Sequence, residues 1–254
     1  MNKSRHCLKS ALQVISRVFS GLVSLFMPAL PVHPFLSTSK SAISSALFVL
    51  YGCFSHSIYA DSSTAARDLA RHLADQPGFF ANFEQQVFNS TNVVVDRSSG
   101  QIILSRPFHL RWETTEPFSQ VIIINNDRYM QHDSDIDQLI ISSLSGEDTA
   151  IPKLLLSANA VAIETHFFVS FIDVTASDNN PKLNTRFLLV PVDADSLITE
   201  LTITFSQEGL ARIVILDDFQ TRSQFVFNEI ISDKSINSNF FELTPPADTD
   251  IIYR

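Results

Sequence analysis

Cysteine, glycine and clustered positive charge are all scarce in this chain. The only cysteines are Cys7 and Cys53, so the chain after residue 60 can form no disulfide and no thiolate metal site. The chain has only 6 glycines. The net charge is -9, and the Lys and Arg residues after position 60 form no cluster. Nucleic-acid binding needs clustered positive side chains that contact phosphates, so it is excluded. The negative charge also argues against binding to the surface of anionic membranes.

Residues 1–60 differ in composition from the rest of the chain. They contain no Asp or Glu, and an apolar run from Ala42 to Phe54 follows Lys40. A membrane-spanning helix needs roughly 20 apolar residues, so this run is too short for one. The layout is typical of a secretory signal peptide, and we expect cleavage after Ala60. Residues 1–60 are therefore predicted to be a leader, and residues 61–254 a single domain.

Two alternatives concern this leader. An earlier apolar stretch, residues 11–32, is interrupted by Arg17, Pro28 and Pro31, and such a stretch is unusual ahead of a signal peptide. The alternative is that the start codon is mis-assigned and that translation begins near Met27 or later. Cys53 ends a Leu-Tyr-Gly-Cys segment similar to a lipoprotein processing site. The bulky Tyr51 and the cleavage site predicted seven residues later favour a product without a lipid on Cys53.

The mature chain reads as one helix followed by a long series of strands. Ala66, Leu69, Ala70 and Leu73 recur at helical spacing after two possible N-caps, Ser62 and Ser63. From Phe79 onward the period changes to two, and about ten strand-like runs follow, separated by polar connectors such as Ser98-Ser99-Gly100. Strands joined by short turns, without a helix between each pair, predict a large antiparallel sheet.

One short helix interrupts the strands in the middle of the chain. Residues 151–159 have Pro152 where a first helical turn accepts proline, followed by Leu154, Leu155 and Leu156. Two helices are little cover for so large a sheet, and most of the 21 Phe and the one Trp lie after the leader. A curved, half-closed sheet under a helical lid would enclose an apolar cavity. Composition alone favours the alternative, a well-packed core without a cavity.

No residue pattern points to an enzyme or to a metal site. Asp133, Asp135 and Asp137 alternate as in a calcium loop, but the loop lacks the required glycine and ends in Leu144 instead of a bidentate Glu. The histidines stand far apart, and no metalloprotease, nucleophile-elbow or nucleotide-binding motif accompanies them. We therefore expect no catalysis, no cofactor and no metal.

The segment from Leu104 to Glu113, with Arg106-Pro107 at its turn and Trp112 near its end, carries a family resemblance. It resembles the outer-membrane lipoprotein carrier protein family, LolA, in which an Arg-Pro turn joins a strand to an aromatic strand. Further segments resemble that family in the same order, namely residues 79–85, 134–138, 152–156, 209–221 and 240–252. Phe108 departs from the pattern, because a glycine is common in the family after the Arg-Pro pair.

The resemblance implies an incomplete β-barrel closed by a helical lid, in a periplasmic chaperone. In this family the arginine before the proline holds the lid through backbone carbonyls, and Arg106 is the matching residue. The residues we expect to contact lipid in the cavity and lid are Leu73, Phe83, Leu110, Trp112, Leu155 and Leu156. The implied partners are the acyl chains of lipoproteins, an inner-membrane lipoprotein-releasing ABC transporter and an outer-membrane lipoprotein receptor, and we expect a monomer.

The main alternative is a periplasmic carrier of a free lipid or glycolipid on the same fold. It would need the same cavity but a different head-group contact, which the residues do not separate from lipoprotein binding. A membrane-anchored receptor of similar shape would instead require lipidation of Cys53. An enzyme would require histidines and carboxylates to converge in a pocket.

Overall fold

A computed structural model of the chain describes residues 58–144, 150–172 and 183–253. Helix α1 spans Ile58–Ala74, α2 spans Ala150–Ser157 and α3 spans Ala160–His166. The strands are β1 (Gly78–Phe88), β2 (Val94–Ser105), β3 (His109–Glu116), β4 (Gln120–Asn125), β5 (Arg128–Asp133), β6 (Gln138–Ser143), β7 (Phe167–Ile172), β8 (Leu183–Pro191), β9 (Ile198–Ser206), β10 (Gly209–Asp217), β11 (Arg222–Ser232) and β12 (Asp250–Tyr253). A 3₁₀ helix, Ser238–Phe241, precedes β12.

The described strands form one sheet in the order β12-β6-β5-β4-β3-β2-β1-β11-β10-β9-β8-β7. Neighbours pair antiparallel, except that β12 runs parallel to β6. Within this part of the chain, the edge strands β7 and β12 do not pair, so the sheet is not closed. The predicted mainly-β fold, a large antiparallel sheet forming an incomplete barrel, is therefore confirmed.

The main core lies between the inner face of this sheet and the three helices. In β1 the side chains of Phe79, Ala81 and Phe83 are buried on this face, as period-two alternation predicts. Helix α1 adds a buried stripe of Ala65, Ala66, Leu69, Ala70 and Leu73, and it packs against α3 and β7. A smaller apolar cluster on the outer face includes Ile103, Ile123 and Phe241 of the 3₁₀ helix.

Helix α1 begins at Ile58, four residues before the predicted N-cap. The predicted capping by Ser62 is wrong, because Ser62 lies inside the helix. Its Oγ accepts a hydrogen bond from the backbone N–H of Val169, 3.2 Å away, and so ties the helix to β7. The cleavage site predicted after Ala60 falls within α1.

The predicted connector Ser98-Ser99-Gly100 is also wrong, because it lies within β2. Ser98 and Gly100 are buried on the inner face, and the register with β3 shifts between Ser99 and Gly100. A Cβ on Gly100 would lie 1.9 Å from the carbonyl oxygen of Glu113, so glycine lets the two backbones approach at this bulge.

The helix predicted over residues 151–159 is α2, which ends at Ser157, and a further helix that was not predicted, α3, begins at Ala160. Ala158 adopts a φ of 46°, which breaks the helix, and the side chain of Asn159 then accepts hydrogen bonds from Val161 and Ala162 N–H as a new N-cap. Strand β12 was not predicted, because its four residues are mostly exposed and show no alternation.

The apolar run Ala42–Phe54, the possible start at Met27 and both cysteines lie outside the described residues. Among the described residues, we find no helix of the length and apolar character that spanning a bilayer requires.

Candidate functional site

Helix α2 covers one end of the core, where α1 ends and β2 turns into β3. Leu154, Leu155 and Leu156 of this helix are 4%, 2% and 3% exposed, respectively. Three consecutive leucines surround much of a helix, so α2 is buried against both the sheet core and α3. Its last carbonyls have no partner within the helix, as at any helix C-terminus, and require outside donors.

Arg106 supplies such a donor from the end of β2. Its Nε donates to the carbonyl oxygen of Leu155 at 3.0 Å, and its Nη1 donates to the carbonyl oxygen of Gln76, the residue two positions after α1. The backbone N–H of Arg106 donates to Pro77 O at 2.8 Å. One side chain therefore connects α2, the end of α1 and the sheet.

The Arg106 guanidinium is held by carbonyl oxygens in a poorly hydrated place. Burial lowers its pKa to about 10, because desolvation disfavours the charged form. Its Nη2 is buried without a hydrogen-bond partner in the described part of the chain. At neutral pH the group still carries its charge, but its surroundings leave part of its hydrogen-bonding capacity unused.

The six residues predicted to contact lipid lie together in the main core. Leu73, Phe83, Leu110, Trp112, Leu155 and Leu156 are each at most 3% exposed and belong to one apolar cluster. The rings of Phe83 and Trp112 lie 4.4 Å apart, and Trp112 meets Phe225 edge-on at 5.2 Å. In this conformation these side chains fill the space beneath the helices by contacting one another.

An apolar cleft of about 490 Å³ opens beside α2. It lies between the turns after β2 and β4 and the two short helices, and its lining includes Phe108, Leu144, Leu154, Leu156 and Phe167. Phe108 is 53% exposed, although it stands where a glycine was expected from the resemblance. Of the six predicted contact residues, only Leu156 is part of this lining among the described residues.

Gln76 is a residue of this site that the sequence analysis missed. It is 7% exposed, and its side chain accepts from Leu210 N–H at 2.9 Å and donates to Glu208 O at 3.4 Å. These bonds join the end of α1 to the turn between β9 and β10. A glutamine beside a proline gives no signal of such a role, since the partners are more than 130 positions away.

The histidines that the structure describes form no metal site with the carboxylates around them. Within the described ranges, no group of three or more His, Cys, Asp and Glu side chains could hold a metal ion. His72 on α1 stacks on Phe205 with ring centroids 4.9 Å apart, and His109 packs against Phe241 at 5.1 Å. These contacts give both rings packing roles.

Comparison with known proteins gives one consistent result. Residues 76–244 match the family model described as "Outer membrane lipoprotein carrier protein LolA". An outer-membrane lipoprotein carrier protein of Francisella tularensis subsp. novicida is 31% identical over 201 residues, covering 78% of this chain and 93% of the relative. Carriers of the same name from Chromohalobacter salexigens and Pseudoalteromonas translucida are each 28% identical, covering 74% and 82% of this chain and 86% and 95% of the relatives.

Proposed function

Because the chain belongs to the outer membrane lipoprotein carrier protein LolA family, we propose that it receives acylated lipoproteins from an inner-membrane ABC transporter and delivers them to an outer-membrane receptor. It is a LolA-type periplasmic carrier, and in this proposal it catalyses no reaction. In this proposal the leader directs export and is then cleaved after Ala60. The observation that carries the proposal is the hydrogen bond from Arg106 to the Leu155 carbonyl of α2, above a core of large apolar side chains.

A lipoprotein carrier needs an apolar cavity for acyl chains, and this cavity must be able to open and close. Burying a chain of around sixteen carbons is worth on the order of 12 kcal/mol at about 0.8 kcal/mol per CH₂. A carrier without an energy source cannot extract such chains quickly from a membrane, which is why loading is assigned to an ATP-driven transporter. Its own affinity must be intermediate, so that the receptor can take the cargo.

The arrangement around α2 fits this requirement. Two short helices separated by the left-handed Ala158 cover the core, and Arg106 holds the first of them through a backbone carbonyl. Opening this lid would lift Leu155 and Leu156 from the apolar core that they belong to and expose an apolar surface. An apolar cleft beside Leu154 and Leu156 already adjoins this lid.

The experiment is transfer of a radiolabelled lipoprotein by Arg106→Leu. We expect the variant to accept lipoprotein from inner-membrane vesicles but to pass it on poorly to outer-membrane receptor. Arg128→Leu, at the exposed start of β5, is the control and should transfer normally. Normal transfer by Arg106→Leu would remove the lid-holding role.

Mass spectrometry of material co-purified from the periplasm separates this function from the alternative. Triacylated protein bound to the carrier supports lipoprotein transport. Free lipid or glycolipid alone would instead identify a lipid carrier on the same fold.

A further inference from the structure

A layer of buried polar side chains crosses the inner face of the sheet, far from Arg106. Gln85 faces Ser98 across the β1–β2 pair, and Thr114 faces Gln120 across the β3–β4 pair. These four residues are 2%, 9%, 3% and 3% exposed, respectively. Ser98 lies eight residues before Arg106 along β2, which places the layer about 25 Å from it at the usual rise per strand residue.

Two hydrogen-bonding groups in this layer lack a partner. The Ser98 hydroxyl donates to Gln85 Oε1 at 2.7 Å. The Gln85 amide nitrogen Nε2 and the Thr114 hydroxyl Oγ1 are buried and find no partner in the described part of the chain. Buried polar groups are nearly always paired, so an amide and a hydroxyl without partners on the core face of the sheet can both donate to an acceptor that enters the core.

The layer lies between an aromatic surface and a polar opening. Phe83 and Trp112 are each two positions before Gln85 and Thr114 on their strands, so their rings lie on the same face, next to the layer. A cleft of about 300 Å³ opens at the surface at this end of the sheet, and its lining includes Gln85 and Ser98 of the layer together with the outward-facing Glu84 and Arg97 of the same strands. A ligand at the layer would have apolar contacts on one side and solvent on the other.

We propose that Gln85 and Thr114 bind the carbonyl oxygens of the ester and amide bonds that attach fatty acyl chains to their carrier group, with the chains extending past Phe83 and Trp112 towards α2. A carbonyl oxygen accepts hydrogen bonds from both an amide N–H and a hydroxyl, whereas a hydrocarbon chain can satisfy neither. The inference rests on the proposed function and assigns a head-group contact to the same acyl-binding site.

The test compares ligands with and without acyl carbonyls. Binding of a tripalmitoylated cysteinyl peptide, of dipalmitoylglycerol and of the carbonyl-free fluorescent probe N-phenyl-1-naphthylamine is measured for wild type, Gln85→Leu and Thr114→Val. We expect each variant to bind the lipopeptide roughly tenfold more weakly, as loss of one hydrogen bond predicts, and to bind the probe within about twofold of wild type.

Thr204→Val is the matched control. Thr204 is 0% exposed and its hydroxyl is also buried without a partner in the described part of the chain, but it alternates with Ile203 and Phe205 and so faces away from the core. It should bind all three ligands as wild type does. Thermal unfolding of each variant checks that it is folded.

The outcomes separate the two proposals. Weaker binding of the lipopeptide alone supports recognition of the lipoprotein linkage, and weaker binding of dipalmitoylglycerol as well extends it to glyceride esters. Unchanged lipopeptide binding in Gln85→Leu and Thr114→Val, or an equal loss for the carbonyl-free probe, overturns the inference and leaves the carrier function intact. A wild-type protein that binds none of the three ligands contradicts the carrier function itself.

Discussion

Replacing Arg106 by leucine tests how firmly α2 is held to the end of the sheet. The guanidinium donates to the carbonyl oxygens of Leu155 and Gln76, and a hydrogen bond from a charged donor contributes about 1.5–3 kcal/mol. Burial of the guanidinium lowers its pKa to about 10, because desolvation disfavours the charge, and it keeps this gain at the low end of that range. The net contribution of Arg106 to folding is therefore only about 3 kcal/mol.

A small net contribution of Arg106 is what a lid that opens and closes reversibly requires. We expect the free energy of unfolding of Arg106→Leu to fall by less than about 2 kcal/mol, since leucine also buries apolar surface. Locally the effect should be larger, because the α2 carbonyl loses its donor. Amide hydrogen exchange in residues 154–157 should accelerate about tenfold or more, reporting a lower free energy of local opening.

Denaturant titration measures the global change and hydrogen exchange measures the local one. Arg106→Lys is an informative companion, because its compact ammonium keeps the charge but lacks the planar fork that reaches two carbonyls, so α2 should exchange faster there too. Arg128→Leu should match wild type in both measurements. Unchanged exchange in α2, or a global loss above about 4 kcal/mol, would refute a reversible tie at Arg106.

Two further predictions concern the contacts of α1. The pKa of His72 is lowered below 6.5, mainly by burial and also by the charge of Arg71, while the charge of Asp75 acts in the opposite direction. Under acidic conditions the unfolded chain therefore binds more protons than the folded protein, and the free energy of unfolding falls as the pH falls. Wild type should therefore lose stability from pH 7 to pH 5 more steeply than His72→Phe, which keeps the ring contacts, and parallel pH curves would contradict this. Gly209 has a φ of 118°, and a Cβ added there would lie 1.7 Å from the Gln76 amide nitrogen. We therefore expect Gly209→Ala to lower the free energy of unfolding, measured by denaturant titration, by about 2–4 kcal/mol. A loss below about 1 kcal/mol would show that the turn relaxes to accommodate the methyl group.

The sequence alone determined the fold class and the family. Alternation of apolar residues from Phe79 along β1 has a period of two whatever the partner strands are, so it identified a strand with one buried face. The short connectors excluded helical crossovers, which left an antiparallel sheet. Arg106-Pro107 and Trp112 identified the family because they stand close together in the chain and need no tertiary information.

Only the tertiary structure decided how the site is assembled. The carbonyls that Arg106 contacts belong to Gln76 and Leu155, 30 and 49 positions away, and local periodicity carries no information on such distances. The layer of Gln85, Ser98 and Thr114 likewise depends on strand register, which brings separate polar residues together on one buried face. Side-chain pattern sets which face of a strand is buried, whereas register and packing set which groups meet there, and these depend on the whole sheet.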